Sequence, residues 1–381
     1  MPGVERRFCV WNAQRLFSGL GVRNLLSPGP GLYRLFLALV VLISHSCRVD
    51  LGAWAVYSFF ILSGYWLCRM WCERYSLTRA PIQTFFVSRL VRLLPVFWLA
   101  NILSAFTQRA ADPAFGRLVS FPAAYSVWAA ISNTFILGYA DLPHALGALH
   151  AAWSLDVELQ FYLVVPLLAL ATCRPGGHPL LGRVLWWVIV AGFVAFLRIG
   201  PTGHRNLGCY GLYFYIGWWC ARNRVLPSRR LAVAGGCLAL LCVVAALSVS
   251  ALRPLVENGK HGESLGGPLA RPLFQAVLAL VSAPFTLASL GNPSGRFDRT
   301  LGDFTYVLYL MQWPVMALHG ILYSELSPLR RIPSLVVAWL AVAALSALIY
   351  TAIDRPIERA RRRWVRLRLS IAPPERQRSF L

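Results

Sequence analysis

The chain of 381 residues is 57% apolar and only 14% charged, whereas soluble domains carry about 25% charged residues. This composition excludes an ordinary soluble core and indicates that lipid is the main solvent. The net charge of +22 is also found in nucleic-acid-binding proteins. However, the basic residues, nearly all of them arginine, lie in short segments between apolar runs. This distribution follows the positive-inside rule and argues against nucleic acid as a partner.

The segment before the first apolar run and the cysteines predict neither a secretory signal nor a disulfide framework. Residues 1–31 contain several arginines and the segment Ser27-Pro28-Gly29-Pro30-Gly31, so we predict a cytoplasmic lead-in without a secretory signal. The nine cysteines form no Cys-x-x-Cys pair, and several lie inside apolar runs. The sequence therefore predicts neither disulfides nor a metal site.

Apolar runs of the length that a bilayer requires, about 20 residues, follow one another along the chain. In chain order, the predicted spans are residues 32–47, 53–72, 90–107, 153–172, 183–198, 207–221, 231–252, 272–290, 304–323 and 333–353. The predicted fold class is all-α, a polytopic bundle of about ten transmembrane helices. It forms one domain over residues 32–355 and is followed by a basic cytoplasmic tail, residues 356–381. This arrangement places most of the 37 basic residues on the inner side when both ends are cytoplasmic.

One further apolar stretch, residues 123–140, is left out of these spans. It contains Ser132, Asn133 and Thr134. If it crossed the membrane, the arginine-rich tail would move to the outer side. We therefore predict a re-entrant or surface-lying helix.

Polar side chains within apolar spans are costly in hydrocarbon, so each is a candidate functional group. Arg34 and His45 in the first span are separated by eleven residues, which returns to nearly the same helix face after a rise of roughly 16 Å. The spacing predicts Arg34 at the inner surface and His45 deep on the same stripe. Histidine exchanges protons near neutral pH. The alternative is a histidine that binds a carbonyl near the outer interface.

Two arginines precede the third span. Arg89 and Arg92 are three residues apart and share a helix face, just before Pro95. Planar guanidinium groups suit phosphate. The alternative is simple anchoring to lipid head groups.

Two carboxylates enter the span that begins near Trp153. Ser154, Glu158 and Tyr162 are spaced by four and line one polar stripe, whereas Asp156 points elsewhere. A carboxylate within a membrane needs a partner. The alternative to a functional role is a structural salt bridge within the bundle.

A last polar group lies at the start of the ninth predicted span. Thr305, Tyr309 and Gln312 fall on one helix face, and Tyr306 lies beside them. The alternative is an aromatic belt at the membrane interface.

Together and in this order, these segments resemble the acyltransferase 3 family of membrane acyltransferases, over about residues 33–359. The segments that carry the resemblance are, in chain order, Arg34 with His45; Phe59-Phe60-Ile61-Leu62-Ser63-Gly64; Arg89 and Arg92 with Pro95; Trp153-Ser154-Leu155-Asp156-Val157-Glu158 with Phe161-Tyr162 and Pro166; Leu301-Gly302 with Tyr306 and Tyr309-Leu310; and Asp354-Arg355-Pro356.

Two positions depart from the family pattern. Tyr57 stands where the family often has an acidic residue, and Gln312 stands where it often has a histidine. His45 is therefore the only histidine that lies in a motif. The departures indicate a subgroup with its own acceptor preference.

The resemblance implies transfer of an acyl group, usually acetyl, from cytoplasmic acyl-CoA to a hydroxyl of a carbohydrate. It implies no permanently bound cofactor and no metal. We expect Arg34, Arg89 and Arg92 to bind the CoA phosphates. We expect His45 to act as general base, with Glu158 orienting the imidazole or stabilising its charged form; an acetyl-histidine intermediate stays open. The residues expected to hold the acceptor or orient the reacting groups are Ser63, Trp153, Ser154, Tyr162, Tyr306, Tyr309 and Gln312.

The expected location is a bacterial inner membrane, and the favoured acceptor is an exopolysaccharide or lipopolysaccharide unit, free or on a lipid carrier. Two alternatives remain at this point. One is a transporter or flippase, which ten spans with buried charges would also suit, although no paired halves with broken helices are evident. The other is an acyltransferase for a protein or a secondary metabolite.

Overall fold

The computed structural model describes residues 29–111, 123–142, 147–173, 179–199, 205–257, 269–323 and 328–370. This part of the chain contains α-helices and short 3-10 and π turns but no strand, so the predicted all-α class is confirmed. The helices are α1 Pro30–Ser46, α2 Gly52–Glu73, α3 Pro81–Ala111, α4 Ala123–Phe135, α5 Trp153–Thr172, α6 Pro179–Ile199, α7 Leu207–Asn223, α8 Arg229–Ser248, α9 Ala270–Ala288, α10 Arg296–Leu322, α11 Pro328–Ile349 and α12 Arg355–Ser370.

Six helical segments of the described chain are long and apolar enough to cross a membrane, by length and composition. They are Pro81–Ala110, His150–Thr172, Leu180–Arg198, Arg229–Ser248, Ala270–Gly291 and Arg331–Leu369. The shorter apolar helix α1 has 17 residues. Helices α2, α7 and α10 pack in the interior of the bundle and carry many polar and aromatic side chains, which lowers their mean hydropathy.

Helix α4 is the described part of the apolar stretch that we left out of the predicted spans. Its 13 residues measure roughly 20 Å along the axis, less than the hydrocarbon thickness of about 30 Å. After α4 the backbone reverses through left-handed conformations at Ile136 and Gly138, with φ of 71° and 78°. The helix lies against α3, where Asn101 donates to the Asn133 side-chain oxygen at 2.7 Å. This geometry favours the predicted re-entrant or surface-lying helix.

Asp156 joins the turn after α4 to the first turns of α5. Its buried carboxylate accepts the backbone N–H groups of Gly138 at 3.0 Å and of Ala140 at 2.9 Å. It also accepts the Gln160 side-chain amide at 3.1 Å. Asp156 thus points away from the stripe of Ser154 and Glu158, as predicted, and its role is structural.

We expect Asp156→Asn to destabilise the protein without a direct effect on the reacting groups. The amide presents fewer acceptor atoms and no charge to two buried N–H groups, at a cost of about 1–3 kcal/mol. The measurement is the melting temperature of the purified protein in detergent. Glu73→Gln is the control, because it removes only an exposed ion pair with Arg69, a type worth about 0–1 kcal/mol. Equal melting temperatures for the two variants would contradict this role for Asp156.

Two glycines allow α2 and α7 to approach closely. A Cβ at Gly64 would overlap the carbonyl oxygen of Phe214, and a Cβ at Gly217 would overlap that of Ile61. Such small-residue contacts are typical of helix pairs in membranes. The close contact fixes the position of α2, which also lines the cavity described below.

Candidate active site

A cavity of about 690 Å³ lies between α1, α2, α3, α5, α10 and α12, within the range of about 300–1,000 Å³ for small-molecule sites. We call the part lined by arginines its basic end: Arg34, Arg69, Arg74, Arg89, Arg92, Arg299, Arg361 and Arg362. We call the part lined by Ser154 and Tyr309, together with Phe59 and Phe60, its hydroxyl end.

The start of α10 positions Arg34. The Asp298 carboxylate accepts the backbone N–H groups of Gly31 at 3.1 Å and of Leu32 at 2.8 Å, which docks the N-terminus of α1 against α10. At Gly302 a Cβ would lie only 3.9 Å from an Arg34 guanidinium nitrogen and 3.2 Å from the Gly31 Cα. The glycine of the Leu-Gly segment therefore lets the backbone at the start of α1 approach α10 closely, and α10 lies within van der Waals distance of the Arg34 guanidinium.

Within the described residues, Arg34 has no counter-ion in direct contact. Among the described residues, none forms a hydrogen bond or an ion pair with its guanidinium group. Asp303 and Glu158 act on it only at longer range, and Arg92 repels it. A partly buried arginine beside a second arginine is favourable only when an anion binds there or when distant carboxylates compensate the charge.

The other two predicted arginines reach the same cavity in different environments. Arg92 lies 3.9 Å from both the Asp303 and the Glu358 carboxylates. Arg89 is enclosed by aromatic rings: it donates to the Tyr75 hydroxyl at 3.1 Å, and its guanidinium lies 5.9 Å from the centre of the Tyr162 ring. Arg34 and Arg92 are thus more accessible to a ligand than Arg89, which is also held by packing.

Helix α12 completes the basic end, and sequence reasoning missed this contribution. Glu358 accepts from Arg361 at 2.6 Å, and Arg362 donates to Asp303 at 2.9 Å. Arg361 also donates to the Ser88 hydroxyl on α3. The signal was present in the sequence, because Glu358 stands alone among arginines with partners three and four residues away. Only the position of α12 against the cavity could not be inferred.

Glu158 holds the centre of the predicted stripe on α5. Its Oε1 accepts the Ser63 hydroxyl at 2.6 Å and the Tyr162 hydroxyl at 3.0 Å. Ser154, Glu158 and Tyr162 all line the cavity. No cation of the described chain forms an ion pair with Glu158, so the alternative of a structural salt bridge is not observed.

Hydroxyl groups from α5 and α10 meet at the hydroxyl end. The Ser154 and Tyr309 hydroxyls are 2.7 Å apart, and the Tyr309 hydroxyl donates to the Ala151 carbonyl at 3.1 Å. Tyr306 lines the cavity and donates to the Leu93 carbonyl at 2.7 Å. Gln312 lies one turn further along α10, is fully buried and does not line the cavity. Its side-chain oxygen has no hydrogen-bond partner in the described part of the chain.

His45 lies away from the arginines. It stands in the last turn of α1, with an exposed side chain. Its ring forms a T-shaped contact with Trp313 at a centroid distance of 5.4 Å, and the centre of the His150 ring lies 5.4 Å from that of the same indole. His45 is far from the arginines because of the length of α1. The helix begins at the basic end of the cavity and ends at Ser46, so the eleven residues from Arg34 to His45 reach the opposite end of the helix.

The structure therefore brings together most, but not all, of the predicted site residues. Three of the predicted residues, His45, Trp153 and Gln312, do not line the cavity. The cavity is lined by the others: Arg34, Ser63, Arg89, Arg92, Ser154, Glu158, Tyr162, Tyr306 and Tyr309. Glu158 does not contact His45 among the described interactions. Sequence reasoning also missed Trp313 and His150, which no motif marks.

Two aromatic residues of the motifs are packing residues. Trp153 lies against Phe60 and Tyr210, with ring centres 6.3 Å and 5.6 Å away. Tyr57, which departs from the family pattern, stacks on Tyr210 at 5.3 Å and on Tyr213 at 4.9 Å. The hydrophobic stacking of α2 on α7 thus takes the place of an acidic group.

Comparison with known proteins identifies the family of the chain. A family model described as an acyltransferase domain matches residues 24–353. The match spans the helices that form the cavity except α12, which follows it. No curated protein and no solved structure matches the chain. The match over most of the chain, together with the apolar helical bundle, places this protein in the acyltransferase 3 family, as a multi-pass membrane acyltransferase.

Proposed function

We propose that the protein transfers an acetyl or related acyl group from cytoplasmic acyl-CoA to a hydroxyl of a carbohydrate, a unit of a surface or secreted polysaccharide. The observation that carries this proposal is Arg34, which faces the cavity beside Arg92 and has no counter-ion in contact among the residues that the structure describes. Coenzyme A carries a pyrophosphate and a ribose phosphate, and guanidinium groups bind phosphate through strong charge-assisted hydrogen bonds. An uncharged sugar would not require this concentration of arginine.

The same charges support a proposed orientation in the membrane. We propose that α1, α2, α7 and α10 cross the bilayer together with the six apolar segments, which makes about ten spans. The basic end then faces the cytoplasm of a bacterial inner membrane, in accord with the positive-inside rule. Both termini are cytoplasmic, and the donor reaches the cavity from the side where acyl-CoA is made.

The proposed reaction uses residues at both ends of α1, Arg34 for the donor and His45 as the base. His45 removes the proton of the acceptor hydroxyl, the resulting oxygen attacks the thioester carbonyl, and the CoA thiolate leaves and takes up a proton. The acyl arm has to extend from Arg34 toward His45, a rise of roughly 16 Å along α1. The hydrogen-bonded pair Ser154 and Tyr309 lines the cavity along α5 and α10. We propose that this pair separates when the donor enters.

Glu158 is the second candidate for the base. It lies within the cavity, where its carboxylate accepts two hydroxyl groups. The predicted role of orienting the imidazole would require Glu158 and His45 to come closer than they are in this structure. The variants described in the Discussion separate the two assignments.

The test of the proposed function is thioester consumption by the purified protein in detergent or in vesicles. With acetyl-CoA and a polysaccharide fragment as acceptor, we expect release of the CoA thiol and a mass increase of the fragment by one acetyl group. Reactions without the protein and without the acceptor fragment are the controls. Movement of the fragment across the vesicle membrane without any release of the CoA thiol would contradict the proposal and favour a transporter.

A further inference from the structure

A cluster of three thiols lies beside the cavity and has no part in the reaction proposed above. Cys68 and Cys72 lie on α2, and Cys173 follows the last residue of α5. Their three sulfur atoms all lie within 4.8 Å of one another, and the Cys72 and Cys173 sulfurs are 2.9 Å apart. We propose that this cluster is a three-thiolate site for a soft metal ion such as Zn²⁺ or Cu⁺.

The geometry of the cluster suits such an ion. Cysteines four residues apart share one face of a helix, so α2 presents two sulfur atoms in the same direction. Thiolates bind Zn²⁺ at about 2.3 Å. Three sulfurs around one ion are then roughly 4 Å from one another, a separation that small side-chain rotations reach from the observed cluster. Thiolate ligands select soft ions over Mg²⁺ and Ca²⁺.

The surroundings favour thiolates and restrict access of water. Cys68 is buried, and Cys72 and Cys173 are partly buried. Arg222 donates to the Thr172 carbonyl next to Cys173, which brings a positive charge to the cluster. The Thr172 hydroxyl lies 3.7 Å from the Cys173 sulfur. Positive charge nearby stabilises the deprotonated, metal-binding form of a cysteine.

The sequence predicted no metal site because it contains no Cys-x-x-Cys pair. A Cys-x-x-Cys pair places two ligands in one loop, whereas here two ligands are one helical turn apart and the third comes from a residue about 100 positions later in the chain. The site would join α2 to α5, the two helices that carry Ser63 and Glu158. It would therefore hold together the pair whose hydroxyl and carboxylate are 2.6 Å apart.

The test is metal binding to the full-length protein, purified with a reductant and freed of metal. Titration with Co²⁺ reports thiolate ligation through its sulfur-to-metal absorption band, and competition of Zn²⁺ with a chromophoric chelator gives the affinity. We expect one ion per chain. Cys173→Ser and Cys68→Ser should each lose the Co²⁺ absorption band. Each should also weaken Zn²⁺ binding by more than roughly 10–100-fold, which is the effect of removing a residue that only hydrogen-bonds to a metal ligand.

Cys237→Ser is the matched control, because Cys237 is an exposed cysteine on α8. It should bind like the unaltered protein. Binding by Cys173→Ser and Cys68→Ser that equals that of the control would overturn the proposal, as would the absence of any binding by the unaltered protein. Elution of each variant at the normal position in size-exclusion chromatography shows that a loss of binding is not a loss of folding. A Cys72–Cys173 disulfide in the reduced preparation, detected by intact mass, would also overturn it.

Discussion

Replacing His45 with alanine is expected to lower the rate of acyl transfer by about 10²–10⁴-fold, the usual contribution of a general base. The protein should still accumulate in the membrane at its normal level. The His45 side chain is exposed, and its one described ring contact is a T-shaped one with Trp313 at a centroid distance of 5.4 Å. Its removal therefore leaves no buried cavity in the bundle. The measurement is kcat for CoA thiol release at saturating acetyl-CoA, normalised to the amount of protein.

His319→Ala is the control for this variant. His319 also lies in the last turn of a helix, α10, and its ring nitrogen is 3.0 Å from the Ser334 hydroxyl, but it belongs to no motif. We expect a near-normal rate for it. A near-normal rate for His45→Ala would show that the base lies elsewhere. Glu158→Gln then decides the matter, since loss of activity in that variant alone would assign the base to Glu158.

Replacing Arg34 with glutamine is expected to raise the KM for acetyl-CoA about ten- to hundredfold, because a hydrogen bond to a charged group contributes about 1.5–3 kcal/mol. Folding should be preserved, since no described residue pairs with the Arg34 guanidinium. Arg92→Gln should raise KM as well. That change also removes the partner of Asp303 and Glu358 at 3.9 Å, so its effect combines donor binding with local charge balance.

Arg183→Gln is the matched control, because Arg183 is exposed on α6 and does not line the cavity. Its KM for acetyl-CoA should equal that of the unaltered protein. Arg34→Gln and Arg183→Gln should differ far more in their KM for acetyl-CoA than in kcat at saturating acetyl-CoA. Equal KM values for Arg34→Gln and Arg183→Gln would refute the phosphate-binding role of Arg34.

Patterns of a single helix predicted much of this fold and part of its site. Apolar run lengths located the helices, and a spacing of four placed Ser154, Glu158 and Tyr162 on the face that the structure turns to the cavity. The spacing of Arg89 and Arg92 likewise predicted a shared location. Each of these inferences depends only on the periodicity of a helix, which sequence displays directly.

Contacts between distant segments were not predictable in the same way. Asp298 binds the N-terminus of α1, which lies 266 residues before it, and no local pattern encodes such a pair. The position of His45 in the last turn of α1 was not predictable either, because spacing gives the distance from Arg34 but not the residue at which α1 ends. The packing roles of Trp153 and Tyr57 likewise depend on the position of α7.

The ion pairs of Glu358 have a consequence for how the enzyme would bind its donor. The carboxylates of Glu358 and Asp303 sit at the basic end as internal counter-ions, so acyl-CoA would bind by exchange, with phosphate displacing carboxylate. The measured affinity would then be a difference between two electrostatic interactions. One of them depends on α12, which follows the matched acyltransferase domain. Exchange of this C-terminal helix between family members would then be a way to change donor affinity while the reacting groups remain untouched.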